Sequence, residues 1–183
     1  MTVDIAITAM VLAIIASIFA STMFTGASPL PTSKSVRGTM LAALDEAAKE
    51  TNGTINGPIY ELGSGWGGLA RVLAGRYPAS PVRAFEVSLL PWAVAAARQA
   101  YDGPGNLSFQ LKNFHAIDLS DAALVVCYLP GPAMEKLKPK LQAELPKGAL
   151  VLSNTFALSG WDPIDVRTAP DIHASRVYLY RVS

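Results

Sequence analysis

Ile59-Tyr60-Glu61-Leu62-Gly63-Ser64-Gly65-Trp66-Gly67 is the stretch that decides the fold. Ile59 to Leu62 reads as a short buried strand. From Gly67 to Tyr77, Leu69, Val72 and Leu73 recur at helical spacing and predict a helix. Between the two, Gly63 and Gly65 permit backbone conformations closed to other residues and let a ligand approach the main chain. The helix that follows begins with free N–H groups. In open α/β sheets, ligands bind at the carboxyl ends of the strands, where this turn lies.

Outward from that corner, strand and helix patterns alternate. Val82–Val87 predicts a second strand, Pro91 opens a helix reaching about Ala100, and Leu107–Lys112 predicts a third strand. Ala123–Leu129 is a continuous apolar run, as expected for a central parallel strand covered on both faces. A helix over Ala133–Leu145 and a strand over Ala149–Phe156 follow. Val177–Val182 is strand-like, and no helical pattern lies between Phe156 and His173, so the last strands are expected to pair as an antiparallel hairpin. On the other side, Thr32 or Ser33 caps a helix reaching about Lys49, with Val36, Met40, Leu41 and Leu44 on its apolar face. The pattern predicts an α/β fold: a three-layer, Rossmann-like sandwich with a mostly parallel sheet and a C-terminal antiparallel hairpin.

Of the 183 residues, 16% are charged, below the roughly 25% of an ordinary domain. The deficit is local, because no charged residue lies between Ile5 and Ser33. Ile5–Phe24, at about 1.5 Å per residue, is long enough to reach across the roughly 30 Å of a bilayer core. It predicts one N-terminal transmembrane helix. A signal peptide is the competing reading, but Asp4 precedes the run and no basic residue does. Lys34 and Arg37 flank the far end, which puts the domain on the cytoplasmic side by the positive-inside rule. The expected organisation is an anchor and linker over 1–28 and one domain over 29–183.

Net charge is +1 with the basic residues scattered, so no nucleic-acid partner is expected. The single cysteine, Cys127, excludes an intrachain disulfide and a Cys-rich zinc site. Asp118 and Asp121 have no further ligands nearby, so no metal is expected.

Gly63, Gly65 and Gly68 also satisfy G-x-G-x-x-G, a weak dinucleotide signal taken alone. Glu61 argues against that reading. A carboxylate two residues before the first glycine would face a diphosphate unfavourably, whereas it suits a cofactor carrying an ammonium and a sulfonium. Glu86 ends the next strand, where a carboxylate can accept hydrogen bonds from both ribose hydroxyls. Alone it would read as a solvated strand-end charge; paired with Glu61, two independently placed features agree on one site.

These residues resemble the class I, seven-β-strand S-adenosylmethionine-dependent methyltransferases over roughly Ser33 to Ser183, most specifically at Glu61–Gly67. The resemblance implies that Gly63, Ser64, Gly65, Trp66 and Gly67 line S-adenosyl-L-methionine and that Glu86, with Val87 beside it, holds the ribose. It places Asn113 and Phe114 at the adenine, and Tyr128, Leu129 and Pro130 at the transferring methyl, with Tyr128 as the catalytic candidate. Pro31-Thr32-Ser33, Glu61–Gly65, Ser153-Asn154-Thr155-Phe156-Ala157 and Gly160-Trp161 look more closely like the small membrane-associated lysine methyltransferases of mitochondria and their prokaryotic relatives. Mitochondrial members modify lysines of the ATP synthase c subunit or the adenine nucleotide translocase. This implies a lysine of a membrane-associated protein as acceptor, met by Thr32 and Trp161. Trp66 and Gly68 stand where that family more usually has an acidic and a basic residue. Two other readings of the same motif are a lipid or lipophilic small-molecule acceptor and a cofactor-binding scaffold without turnover.

Overall fold

Alternation along β1 (Ile59–Leu62) sends Ile59 to one hydrophobic layer and Tyr60 and Leu62 to the other. The same partition runs through β2 (Val82–Glu86), β4 (Leu124–Cys127) and β5 (Leu150–Asn154), while β3 (Leu107–Leu111) sends Leu107 and Phe109 to the first layer. In the computed structural model, residues 4, 5, 7, 8 and 31–183 are described. Seven strands form one sheet in the order β3-β2-β1-β4-β5-β7-β6, with β6 being Asp165–Thr168 and β7 Arg176–Arg181. The first five strands are parallel, and β7 runs antiparallel to both β5 and β6. The order reverses between β1 and β4, so a crevice opens at the carboxyl end of β1, where the glycine turn begins.

Helix α1 (Lys34–Ala47) starts at Ser33, whose hydroxyl accepts from the Val36 N–H at 3.2 Å, and buries Val36, Met40, Ala43 and Leu44. With α2 (Gly68–Arg76), which buries Leu69, Ala70, Leu73 and Ala74, it covers one face. Helix α3 (Leu89–Asp102) packs against β3. Helix α4 (Gly131–Glu144) covers the opposite face through Met134, Leu137 and Leu141.

The sheet, its parallel core and the closing hairpin match the fold expected from the sequence, and strand β6 is the element that the sequence did not reveal. Its four residues alternate half-buried and exposed at the sheet edge, with no apolar run to mark them.

The transmembrane expectation is corrected. Among the described residues no helix is long and apolar enough to cross a membrane. The longest helices among the described residues have 14 residues, short of the roughly 20 apolar residues a span requires. This overturns the expected single-pass placement with the domain on the cytoplasmic side. Apart from residues 5, 7 and 8, the run from 5 to 24 that motivated it lies outside the described residues.

Leu44 is fully buried where α1 meets the sheet. Leu44→Ala is expected to lower the unfolding free energy of the full chain by about 2–5 kcal/mol, through lost burial and a residual cavity. Urea denaturation followed by circular dichroism measures this directly.

Candidate active site

The glycine turn is fastened to the end of β2. The Phe85 carbonyl accepts from the N–H groups of both Gly63 and Ser64, each at 2.9 Å. The Gly65 N–H donates to Glu86 Oε2 at 2.8 Å, while Glu86 Oε1 accepts from Val87 and Ser88 at 2.9 and 2.7 Å. Glu86 is thus a buried carboxylate that organises the turn from the neighbouring strand. The turn closes with the Gly67 N–H on the Ser64 carbonyl at 2.9 Å and opens α2.

Gly63, Gly65 and Gly67 all have positive φ (76°, 53° and 76°), conformations that side chains rarely adopt. Their surroundings differ. A Cβ on Gly65 would meet nothing within 4 Å, which leaves the backbone open to a ligand. A Cβ on Gly67 would lie 2.5 Å from the Phe109 ring and 2.9 Å from Ala95. Gly67 is therefore required by close packing against α3 and β3, and it does not line the cleft.

Glu61 sits beneath this turn, 5% exposed. The Ala70 N–H, in the first turn of α2, donates to its carboxyl group. Among the described residues its Oε2 is buried without a hydrogen-bond partner. Burial pushes the Glu61 carboxyl up to about 8, with the neighbouring Glu86 charge adding to the rise and the Ala70 N–H opposing it.

Glu61 and Glu86 line one cleft of about 660 Å³, within the range of small-molecule sites. Gly63, Ser64, Gly65 and Trp66 border it from the turn, and exposed Val87 from the end of β2. Asn113 and Phe114 enter from the end of β3, Tyr128 from the end of β4, and Thr32 from the segment before α1. Tyr128 stacks on Phe156 with ring centroids 6.4 Å apart. Phe156 follows Thr155, a β-branched residue at φ 68°, a conformation that concentrates at functional sites. Trp161 is not brought to the cleft: it packs edge-on against Tyr180, 5.9 Å between centroids, in the core beneath α4.

Three polar side chains of this cleft were not singled out for it by the sequence. Arg37 of α1, read as a membrane-flanking charge, borders it, as do Lys136 of α4 and Ser88. His115 also lines it; partial burial, then the charges of Lys140 and Lys136, hold its imidazole below the usual range. Asp121 pairs with Arg83 and accepts from the Tyr60 hydroxyl, while Asp118 accepts from Ser120. Cys127 is buried against Met134, its thiol pushed up to about 12 by burial.

The position of Glu61 has a pH signature. Its ordinary value is 4.5, so between about pH 4.5 and 8 the folded chain keeps a proton that the unfolded chain gives up. Stability from this group is full below that window and is lost as pH rises through it. Glu61→Gln, neutral throughout, removes the loss, so between pH 5 and pH 8 the variant is expected to gain stability relative to the parent in urea denaturation. A difference that does not change with pH would mean that Glu61 titrates as an ordinary solvated carboxylate.

Several known proteins are similar to this chain. Residues 61–165, more than half of the chain, match the family described as the ANTKMT methyltransferase domain. A protein-lysine N-methyltransferase of Saccharolobus islandicus (strain REY15A) is 32% identical over 124 residues, covering 67% of this chain and 77% of that protein. An adenine nucleotide translocase lysine N-methyltransferase of Mus musculus is 33% identical over 113 residues, 60% of this chain, and here the chain spans only 48% of its relative. Among solved structures, an RNA methyltransferase from Salinibacter ruber in complex with S-adenosyl-L-homocysteine superposes with a TM-score of 0.71 at 25% identity, over 84% of this chain and 94% of that one. The glycine turn, both acidic strand ends and the Tyr128 strand end all fall inside the matched segment, and the chain belongs to the ANTKMT methyltransferase domain family, a class I S-adenosylmethionine-dependent methyltransferase.

Proposed function

We propose that the chain transfers a methyl group from S-adenosylmethionine to the side-chain amine of a protein lysine, using the cleft between Glu61, Glu86 and Tyr128. The observation that carries the cofactor half is the Glu61 carboxyl: buried, with one oxygen lacking a partner among the described residues, at the edge of a glycine turn. A carboxyl so placed fits a ligand that brings positive charge, and the open side of Gly65 fits a ligand that lies against the backbone. The acceptor half is supported by the archaeal and mouse relatives, both named as lysine N-methyltransferases.

Bound S-adenosylmethionine supplies a methyl carbon open to in-line displacement by a neutral amine, with sulfur leaving as a thioether. The residues of this chain bind and orient. Glu61 would face the cationic amino-acid end. Glu86, already holding the turn through the Gly65 amide and itself fixed by those of Val87 and Ser88, keeps acceptor capacity on Oε2 for ribose hydroxyls. Val87, Asn113 and Phe114 frame the adenine side of the cleft. Tyr128, backed by Phe156, forms an aromatic wall where the acceptor enters, and Thr32 borders the same opening. Such walls attract ammonium groups. An incoming lysine must lose its proton, and desolvation within the cleft favours the neutral form. Orientation then supplies most of the rate.

A membrane-associated protein is the finer reading of the acceptor, supported by the name of the mouse relative, a translocase lysine methyltransferase. An assay with methyl-labelled S-adenosylmethionine, the full chain and fractionated cellular proteins, followed by acid hydrolysis, is expected to put the label in methylated lysine. Glu86→Ala should lower that rate at least about tenfold, the scale of two lost charge-assisted hydrogen bonds. Label found only in lipid or RNA would overturn the acceptor assignment, and cofactor binding without transfer to any fraction would favour a scaffold.

A further inference from the structure

We infer that Arg37 holds the carboxylate of the cofactor's amino-acid end. The inference rests on the proposed cofactor site and extends it to a residue of α1. An α-amino acid end is a zwitterion, and Glu61 answers only its positive half. A matching cation should lie in the same cleft, on the side of the glycine turn, with donors to spare.

Arg37 meets each condition. It is half-buried and lines the cleft. Its Nη1 donates to the carbonyl of Gly68, the first residue of α2, at 3.3 Å, which puts the guanidinium directly beside the glycine turn. That is one long bond from a group with five N–H donors. Among the described residues Arg37 forms no ion pair, although Arg71, Arg76, Arg83 and Arg167 each do. The guanidinium fork matches a carboxylate through two parallel hydrogen bonds. Gly68 leaves room for it, since even a Cβ there would come within 3.2 Å of Nη1.

Lys136 is the other permanent cation of the cleft and serves as the internal comparison. It projects from α4, and its charge is felt by His115, beyond the end of β3. That puts it near the side framed by Asn113 and Phe114, away from Glu61 and the turn.

The test is calorimetric titration of the full chain with S-adenosylhomocysteine and with its decarboxylated analogue, which keeps the amine. In Arg37→Ala, S-adenosylhomocysteine affinity is expected to fall at least about tenfold while the analogue stays within about twofold of its parental affinity, because only the former has a carboxylate to lose. Arg37→Lys should recover part of the loss, and Lys136→Ala should weaken both ligands equally or neither. Retained analogue binding shows that the variant is folded. Equal losses for the two ligands, no loss, or a carboxylate-specific loss in Lys136→Ala would each overturn the inference while leaving the cofactor site standing. A parent chain that binds neither ligand would overturn the site reading and the inference with it.

Discussion

A carboxyl group removed from water must be paired, hydrogen-bonded or neutral, since an isolated buried charge is far too costly. Glu61 is caught between these options. The Ala70 N–H at the start of α2 favours its charged form, Oε2 has no hydrogen-bond partner among the described residues, and burial pushes the group up to about 8. Everything around it serves to keep that half-satisfied group in place. Strand β1 aims it at α2, the Phe85 carbonyl fixes Gly63 and Ser64 above it, and Glu86 fixes Gly65. A second carboxylate so close makes ionisation of Glu61 harder still, which leaves it ready to ionise only when a cation arrives.

The parallel core of the sheet was legible because its strands are short apolar runs bounded by turn residues, and β1 was found over the same four residues that form it. The glycine turn was legible because three glycines and a carboxylate at fixed spacing have few physical uses. Glu86 was read as a ribose acceptor, and the structure adds a role the sequence could not express: one oxygen fastens the turn through the Gly65 amide while the other is held by the Val87 and Ser88 amides that follow it. Gly67 carries a similar lesson. Its need for glycine comes from Phe109 and Ala95, which are distant in sequence and adjacent only in the fold.

Other features stayed hidden for related reasons. Strand β6 is a polar edge strand whose pairing with β7 is tertiary information. Arg37 stands at a place in the chain where a flanking charge also makes sense, and only the packing of α1 beside the turn brings it to the cleft. Trp161 lies downstream of the strand end that carries Phe156, yet the chain folds back and buries it against Tyr180. Gly68, one of the two departures from the usual family segment, leaves the space that Arg37 crosses.

The central claim is that Glu61 is neutral in the free protein and ionises to meet a cationic ligand. Carbon NMR of the full chain with labelled glutamate carboxyl groups reads that titration at a single site, assigned by its disappearance in Glu61→Gln. The account predicts a midpoint near 8 in the free protein, falling below the ordinary glutamate range when S-adenosylmethionine is bound. A midpoint near 4.5 that does not move on binding would contradict it.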